Sequence, residues 1–182
     1  MTCTLTRNLL AVLLVLLGTG AAWAQMVTPL AYKVKAAFIY NFTLFVDWPP
    51  ATVGPEHSRI VVGVLGDDPL ADALATVQGK QVGDRTLQVV HLDSEQEISS
   101  CHVLYLAGSE RRAAPEILRK LANRPILTVG DTAGFVEMGG MIGFIIEGET
   151  VRFEIDPARA AKAGLKLSAK LLQVARIVSP RP

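Results

Sequence analysis

Apolar residues recur at helical spacing from Tyr32 to Trp48, at Val34, Phe38, Phe42 and Phe45, and Asp47-Trp48-Pro49-Pro50 closes the run because proline cannot continue a helix. A second face of this helix, Ala37, Tyr40, Leu44 and Trp48, is also largely apolar, and polar relief comes only from Lys33, Lys35, Asn41, Thr43 and Asp47. A helix apolar nearly all round packs on its own domain, on a partner, or on both. Beyond a linker at 54–58, Ile60 to Leu65 is an unbroken apolar run closed by Gly66-Asp67-Asp68-Pro69, as a strand buried on both faces reads. Asp67 or Asp68 before Pro69 then caps a helix reaching about Val77.

The unit repeats. Leu87 to Leu92 predicts a second strand, Ser94 with Glu97 a capping box for one helical turn, Val103 to Ala107 a third strand, Glu110 to Ala122 a helix, and Pro125 to Val129 a fourth strand. The ending differs: Met141 to Ile146 and Val151 to Ile155 flank Glu147-Gly148-Glu149-Thr150 and pair as a hairpin. In that hairpin Val151, Phe153 and Ile155 take one face, and Arg152 and Glu154 the other, exposed, face. Pro157 starts a helix to about Ala163, Gly164 breaks it, and Leu167, Leu171, Val174 and Val178 stripe a final helix. Alternating strands and helices predict an α/β, three-layer domain: a mainly parallel sheet flanked by helices, with an antiparallel C-terminal β-hairpin at the edge.

Residues 1–24 read as a cleaved secretory signal: Arg7, an apolar run from Leu9 to Leu17, and Ala22-Trp23-Ala24 before Gln25. The run is too short to span a bilayer, which takes roughly 20 apolar residues. The expectation is a single domain over 25–182, soluble in the periplasm of a Gram-negative cell, with an uncleaved signal anchor as the alternative. Removing Arg7 with the leader leaves 17 basic and 17 acidic side chains, a balance that argues against nucleic acid as a partner. Cys3 leaves as well, so Cys101 has no cysteine to pair with inside the chain. It reads as a small buried hydrophobe at the head of a strand, with a redox thiol or an intermolecular bridge as the alternative.

Sites in open α/β sheets lie beyond the carboxyl ends of the strands, in the loops at 66–69, 107–110 and 130–140. These bring Asp67, Asp68, Glu110 and Asp131 into one neighbourhood, where carboxylates could hold Mg²⁺ or accept a phosphoryl group; helix capping explains Asp67, Asp68 and Glu110 equally well. His57, His91 and His102 lack metal-ligand spacing, and no G-x-S-x-G, Walker or G-x-G-x-x-G motif occurs. No catalytic residue, metal or cofactor is expected. The segment from Gly130 to Gly140 reads as a rigid corner, with a ligand lid as the alternative.

The segments VKAAFIYNFTLFVDWP (34–49), IVVGVLGDDPL (60–70), CHVLYLAGSE (101–110), ILTVGDTAGF (126–135), GGMIGFIIEGETVRFEID (139–156) and AGLKLSAKLLQVARIV (163–178) together resemble the YfiR-like family of periplasmic proteins. The resemblance spans nearly all of the mature chain. It implies a non-enzymatic repressor that binds the periplasmic domain of an inner-membrane diguanylate cyclase, holds it inactive, and is drawn off by an OmpA-like outer-membrane lipoprotein, so that cyclic-di-GMP rises; a homodimer is compatible with it. The family often carries Asn where Gly143 and Asp156 stand, and its redox-controlled members have more cysteines. A family surface site resembles the region of Arg152 and Glu154 with Lys162 and Lys166 beside it; the competing account is a solvated charged face. Tyr40 and Trp48 are the aromatic anchors expected on the first helix. A small-ligand-binding sensor using the 130–140 loop and the acidic edge is the second functional reading, and a phosphoacceptor or metal-dependent enzyme the third.

Overall fold

A computed structural model describes residues 29–53 and 58–178; the leader, His57 and most of the linker lie outside them. Helix α1 (Pro29–Phe45) leads into a short strand β1 (Val46–Asp47), and β2 (Arg59–Leu65) follows. Then come α2 (Leu70–Leu74), β3 (Gln81–Val82), β4 (Arg85–Leu92), β5 (Val103–Leu106), α3 (Ala114–Leu121), β6 (Leu127–Gly130), β7 (Ile142–Glu147), β8 (Thr150–Ile155), α4 (Pro157–Lys162), β9 (Lys166–Leu167), α5 (Ala169–Val174) and β10 (Arg176–Ile177). Eight strands form one sheet in the order β10-β8-β7-β6-β5-β2-β4-β3, parallel except for the β7–β8 and β3–β4 pairs. The β7–β8 hairpin turns on two residues, with Glu147 opposite Thr150 and Gly148 at φ +62°, the backbone such a turn requires at its first position. The α/β layering is as the sequence pattern predicts.

Several predicted boundaries move, among them the start of α3, at Ala114 and not Glu110, and the end of α2, whose last residues to Val77 form a 3₁₀ turn. α1 stops at Phe45, short of Trp48, because Val46 and Asp47 extend to pair antiparallel with Leu167 and Lys166, and the Ser168 N–H takes up the Phe45 carbonyl at 2.9 Å. The buried stripe of α1 is also rotated: Lys35, Ala36, Ile39, Phe42 and Thr43 face inward, while Val34, Phe38 and Phe45 are half-buried. The predicted final helix divides into β9, α5 and β10. Ser168 caps α5 by accepting the Leu171 N–H at 3.2 Å, and Arg176-Ile177 extend to pair with Glu154 and Ile155, which leaves Val174 68% exposed. Around Ser94 the capping box does not form; the Ser94 hydroxyl donates to the Glu97 carboxylate at 3.1 Å, and residues 95–100 make a 3₁₀ turn. The β3 strand, folded back through Gly83-Asp84, has no counterpart in the sequence reading.

Two apolar cores lie on opposite faces of the sheet. The larger joins α1, α2 and α5 to Val62, Val64, Val103, Tyr105, Val129, Phe144 and Phe153. Phe38 and Phe42 meet Phe153 edge-on, with centroids 5.1 and 5.0 Å away. The smaller joins α3 to Leu65, Leu104, Leu106, Ile126 and Phe135.

Candidate functional site

Strand β8 alternates as expected at Val151, Arg152 and Phe153, but Glu154 departs from the predicted exposed face: it is 4% exposed. A carboxylate is buried only when paired, and the partner is Arg176 on β10, whose Nη2 donates to Glu154 Oε2 at 2.5 Å. Arg176 also approaches Glu147 at 3.8 Å, and Glu147 holds Arg152 at 2.9 Å, so four alternating charges cross β10, β8 and β7. Hydrogen bonding to Glu154 raises the Arg176 pKa, locking its charge on. Arg152 is well exposed. Lys162, at the end of α4, and Lys166, on β9 opposite Asp47, are exposed too, on separate elements.

The two aromatic anchors are engaged inside the fold. Trp48 is 8% exposed, which corrects the expectation of a helical surface position: it lies past the helix end, and its indole Nε1 donates to the His102 carbonyl at 3.2 Å. His102 in turn accepts the Val61 N–H on Nδ1 at 3.1 Å and has Nε2 3.2 Å from the Thr52 carbonyl, which makes Nε2 the protonated nitrogen. Tyr40 is half-buried, donating to the Gln81 carbonyl at 2.8 Å beneath the Lys80 ammonium. What α1 shows to solvent instead is Leu30, Lys33, Ala37, Asn41 and Leu44.

At the carboxyl edge of the sheet the structure brings together Asp68 and Asp131 from the predicted acidic set, with Tyr105 between them. Tyr105, fully buried on β5, donates to Asp68 Oδ2 at 3.2 Å, and Asp68 Oδ1 accepts the Leu70 N–H at 2.8 Å at the start of α2. Lys35, expected as polar relief on the helix surface, reaches in from α1 and bonds Asp131 at 2.7 Å. Burial raises the Asp68 pKa, the charge on Asp131 adds to this, and the bonds from Leu70 and Tyr105 oppose it. Burial, then Asp131 and Asp68, push the Tyr105 phenol far up; Tyr32 is raised by the same causes. Asp67 stays exposed, its N–H donating to Ser109 Oγ at 2.9 Å, and Glu110 ends a 3₁₀ turn. Among the described residues no three metal-capable side chains gather.

Cys101 is buried, its thiol packed over Gly63, and desolvation raises its pKa. Such a thiol holds little of the reactive thiolate at neutral pH. The 130–140 segment is a corner. Phe135 inserts between Gly130 and Gly140, where a Cβ on either glycine would run into the ring, and the Gly140 N–H donates to the Phe135 carbonyl at 3.0 Å.

The sequence profile of the YfiR/HmsC-like family matches residues 32–176. The chain belongs to that family. The match takes in α1 from its first turn, the strands of the sheet, the corner and the charged hairpin. Among solved structures, the chain is similar to one described as the ABC domain in complex with L-Trp from Streptococcus pneumonia, at 11% identity and a TM-score of 0.52. That similarity covers 81% of this chain and 60% of the other, and concerns the fold alone. No helix among the described residues is long and apolar enough to cross a membrane.

Proposed function

We propose that this YfiR/HmsC-like domain is a periplasmic negative regulator that binds the periplasmic portion of an inner-membrane diguanylate cyclase and restrains cyclic-di-GMP synthesis, and with it biofilm formation. Family membership over residues 32–176 carries the reading, because that profile belongs to regulatory proteins of this signalling system. A binder shifts a cyclase toward its inactive state only by its preference for that state, and each tenfold shift takes about 1.4 kcal/mol of differential contact. In this reading the exposed cations Arg152, Lys162 and Lys166 supply it without disturbing the core, Glu154 acts by holding Arg176 in register, and half-buried Tyr40 adds an aromatic contact. Release by an OmpA-like outer-membrane lipoprotein, and a homodimer as the binding unit, extend the same reading.

The test is affinity capture by the mature domain from detergent-solubilised envelope, beside cyclic-di-GMP measurement in a deletion strain. A co-purifying cyclase and raised cyclic-di-GMP support the proposal; an unchanged level with no cyclase captured overturns it. Lys162→Glu with Lys166→Glu should slow association by on the order of tenfold at low salt and by less at high salt, with the melting temperature unchanged.

A further inference from the structure

The sheet reverses its strand order at β2: the chain leaves β2 for β4 on one side and returns to β5 on the other. Open α/β folds take ligands in the crevice beyond the carboxyl ends of the strands at such a point. Here Asp68 after β2, Tyr105 on β5 and Asp131 after β6 come together at that end of the sheet, and Lys35 from the second turn of α1 fills the space among them. The Lys35 side chain, 3% exposed, ends there. Its ammonium sits 2.7 Å from Asp131, 5.2 Å from the ring centroid of Tyr32 and 5.9 Å from that of Phe144. A carboxylate with two aromatic faces is the composition of a receptor for a primary ammonium. An apolar residue at position 35 would continue the stripe of Ala36, Ile39 and Phe42 without burying a charge, which makes the lysine a departure from plain core packing.

We propose that Lys35 is the resident occupant of this crevice: α1 carries its own ammonium into the fold's ligand position, an autoinhibitory plug that closes the crevice to free amines and latches α1 to the sheet. Tethering gives the lysine an effective concentration that a free amine cannot match, so the intact protein ignores such ligands. The inference is independent of the cyclase reading.

Lys35→Ala deletes the atoms of n-propylammonium, and thermal unfolding with and without that cation, at matched chloride, tests the idea. The variant should melt on the order of 10 °C below wild type and recover several degrees with propylammonium but not with 1-propanol, while wild type responds to neither. Equal shifts in both proteins, or no recovery in the variant, would overturn the proposal. Should Lys35→Ala not fold, Lys35→Met keeps the stem: a loss of stability that shrinks when Asp131→Asn is added supports the latch, and a melting temperature at or above wild type overturns it.

Discussion

Asp68 shows how a side chain can serve local structure and oppose stability at once. Its Oδ1 takes up the Leu70 N–H at the start of α2, yet burial and the nearby Asp131 charge raise its pKa, so the folded state favours the protonated form more than the unfolded chain does. The sign follows: a carboxyl raised on folding adds stability below its unfolded value, near 3.9, and that contribution is lost as pH rises past it. Asp68→Asn keeps an acceptor for the Leu70 N–H, puts an NH₂ group where Oδ2 takes the Tyr105 hydroxyl, and removes the charge. It should leave stability at pH 7 unchanged or raise it by up to about 1 kcal/mol, with the gain disappearing toward pH 3.5; urea titrations at the two pH values measure both. A variant weaker than wild type by more than about 1 kcal/mol at pH 7 would show that losing the Oδ2 acceptor of the buried Tyr105 hydroxyl outweighs the relief of charge.

At the level of single elements, caps decide where helices begin. Asp156 accepts the Arg159 N–H at 3.0 Å as the N-cap of α4 and holds the Arg159 side chain at 2.8 Å, all while buried. Asp156→Ala should cost about 2 kcal/mol, the upper end for a cap, whereas Asp156→Asn keeps the backbone bond and should cost less than about 1 kcal/mol by chemical denaturation. The same elements show what a sequence reveals. Unbroken apolar runs placed β2, β5 and β6 within a residue or two, since strands buried on both faces leave no polar alternation to confuse. Short elements held by long-range pairing were invisible. β1, β9 and β10 are two residues each, and only contact with a distant segment makes them strands. The charged site was half legible for a related reason: Arg152 followed from alternation, but the burial of Glu154 depends on Arg176 folding back 22 residues later. Lys35 was missed because a lysine on an apolar helix reads as solvent relief until its partner, 96 residues on, is in place.

For the molecule as a whole, the unequal cover of the sheet sets an order of stability. β2, β5 and β6 lie between both cores, whereas β3 and β10 form its two edges with two residues each. Native-state hydrogen exchange should therefore find the amides of Val62 to Val64, Val103 to Leu106 and Leu127 to Val129 opening only with global unfolding, and those of β3 and β10 opening at far lower cost. Protection in β10 equal to that in β5 would mean that the Glu154–Arg176 contact makes the edge part of the cooperative unit. The corner at 130–140 bears on another timescale altogether. Because one aromatic ring fills the space that a side chain at 130 would need, positions 130 and 135 are bound to one another in descent: a lineage that trades Phe135 for something small becomes free to admit alanine at 130, whereas 140 stays glycine in either case, since a Cβ there also meets the Phe135 carbonyl oxygen. Homologues compared in number should show 130 departing from glycine only where 135 has lost its ring, and 140 holding glycine throughout.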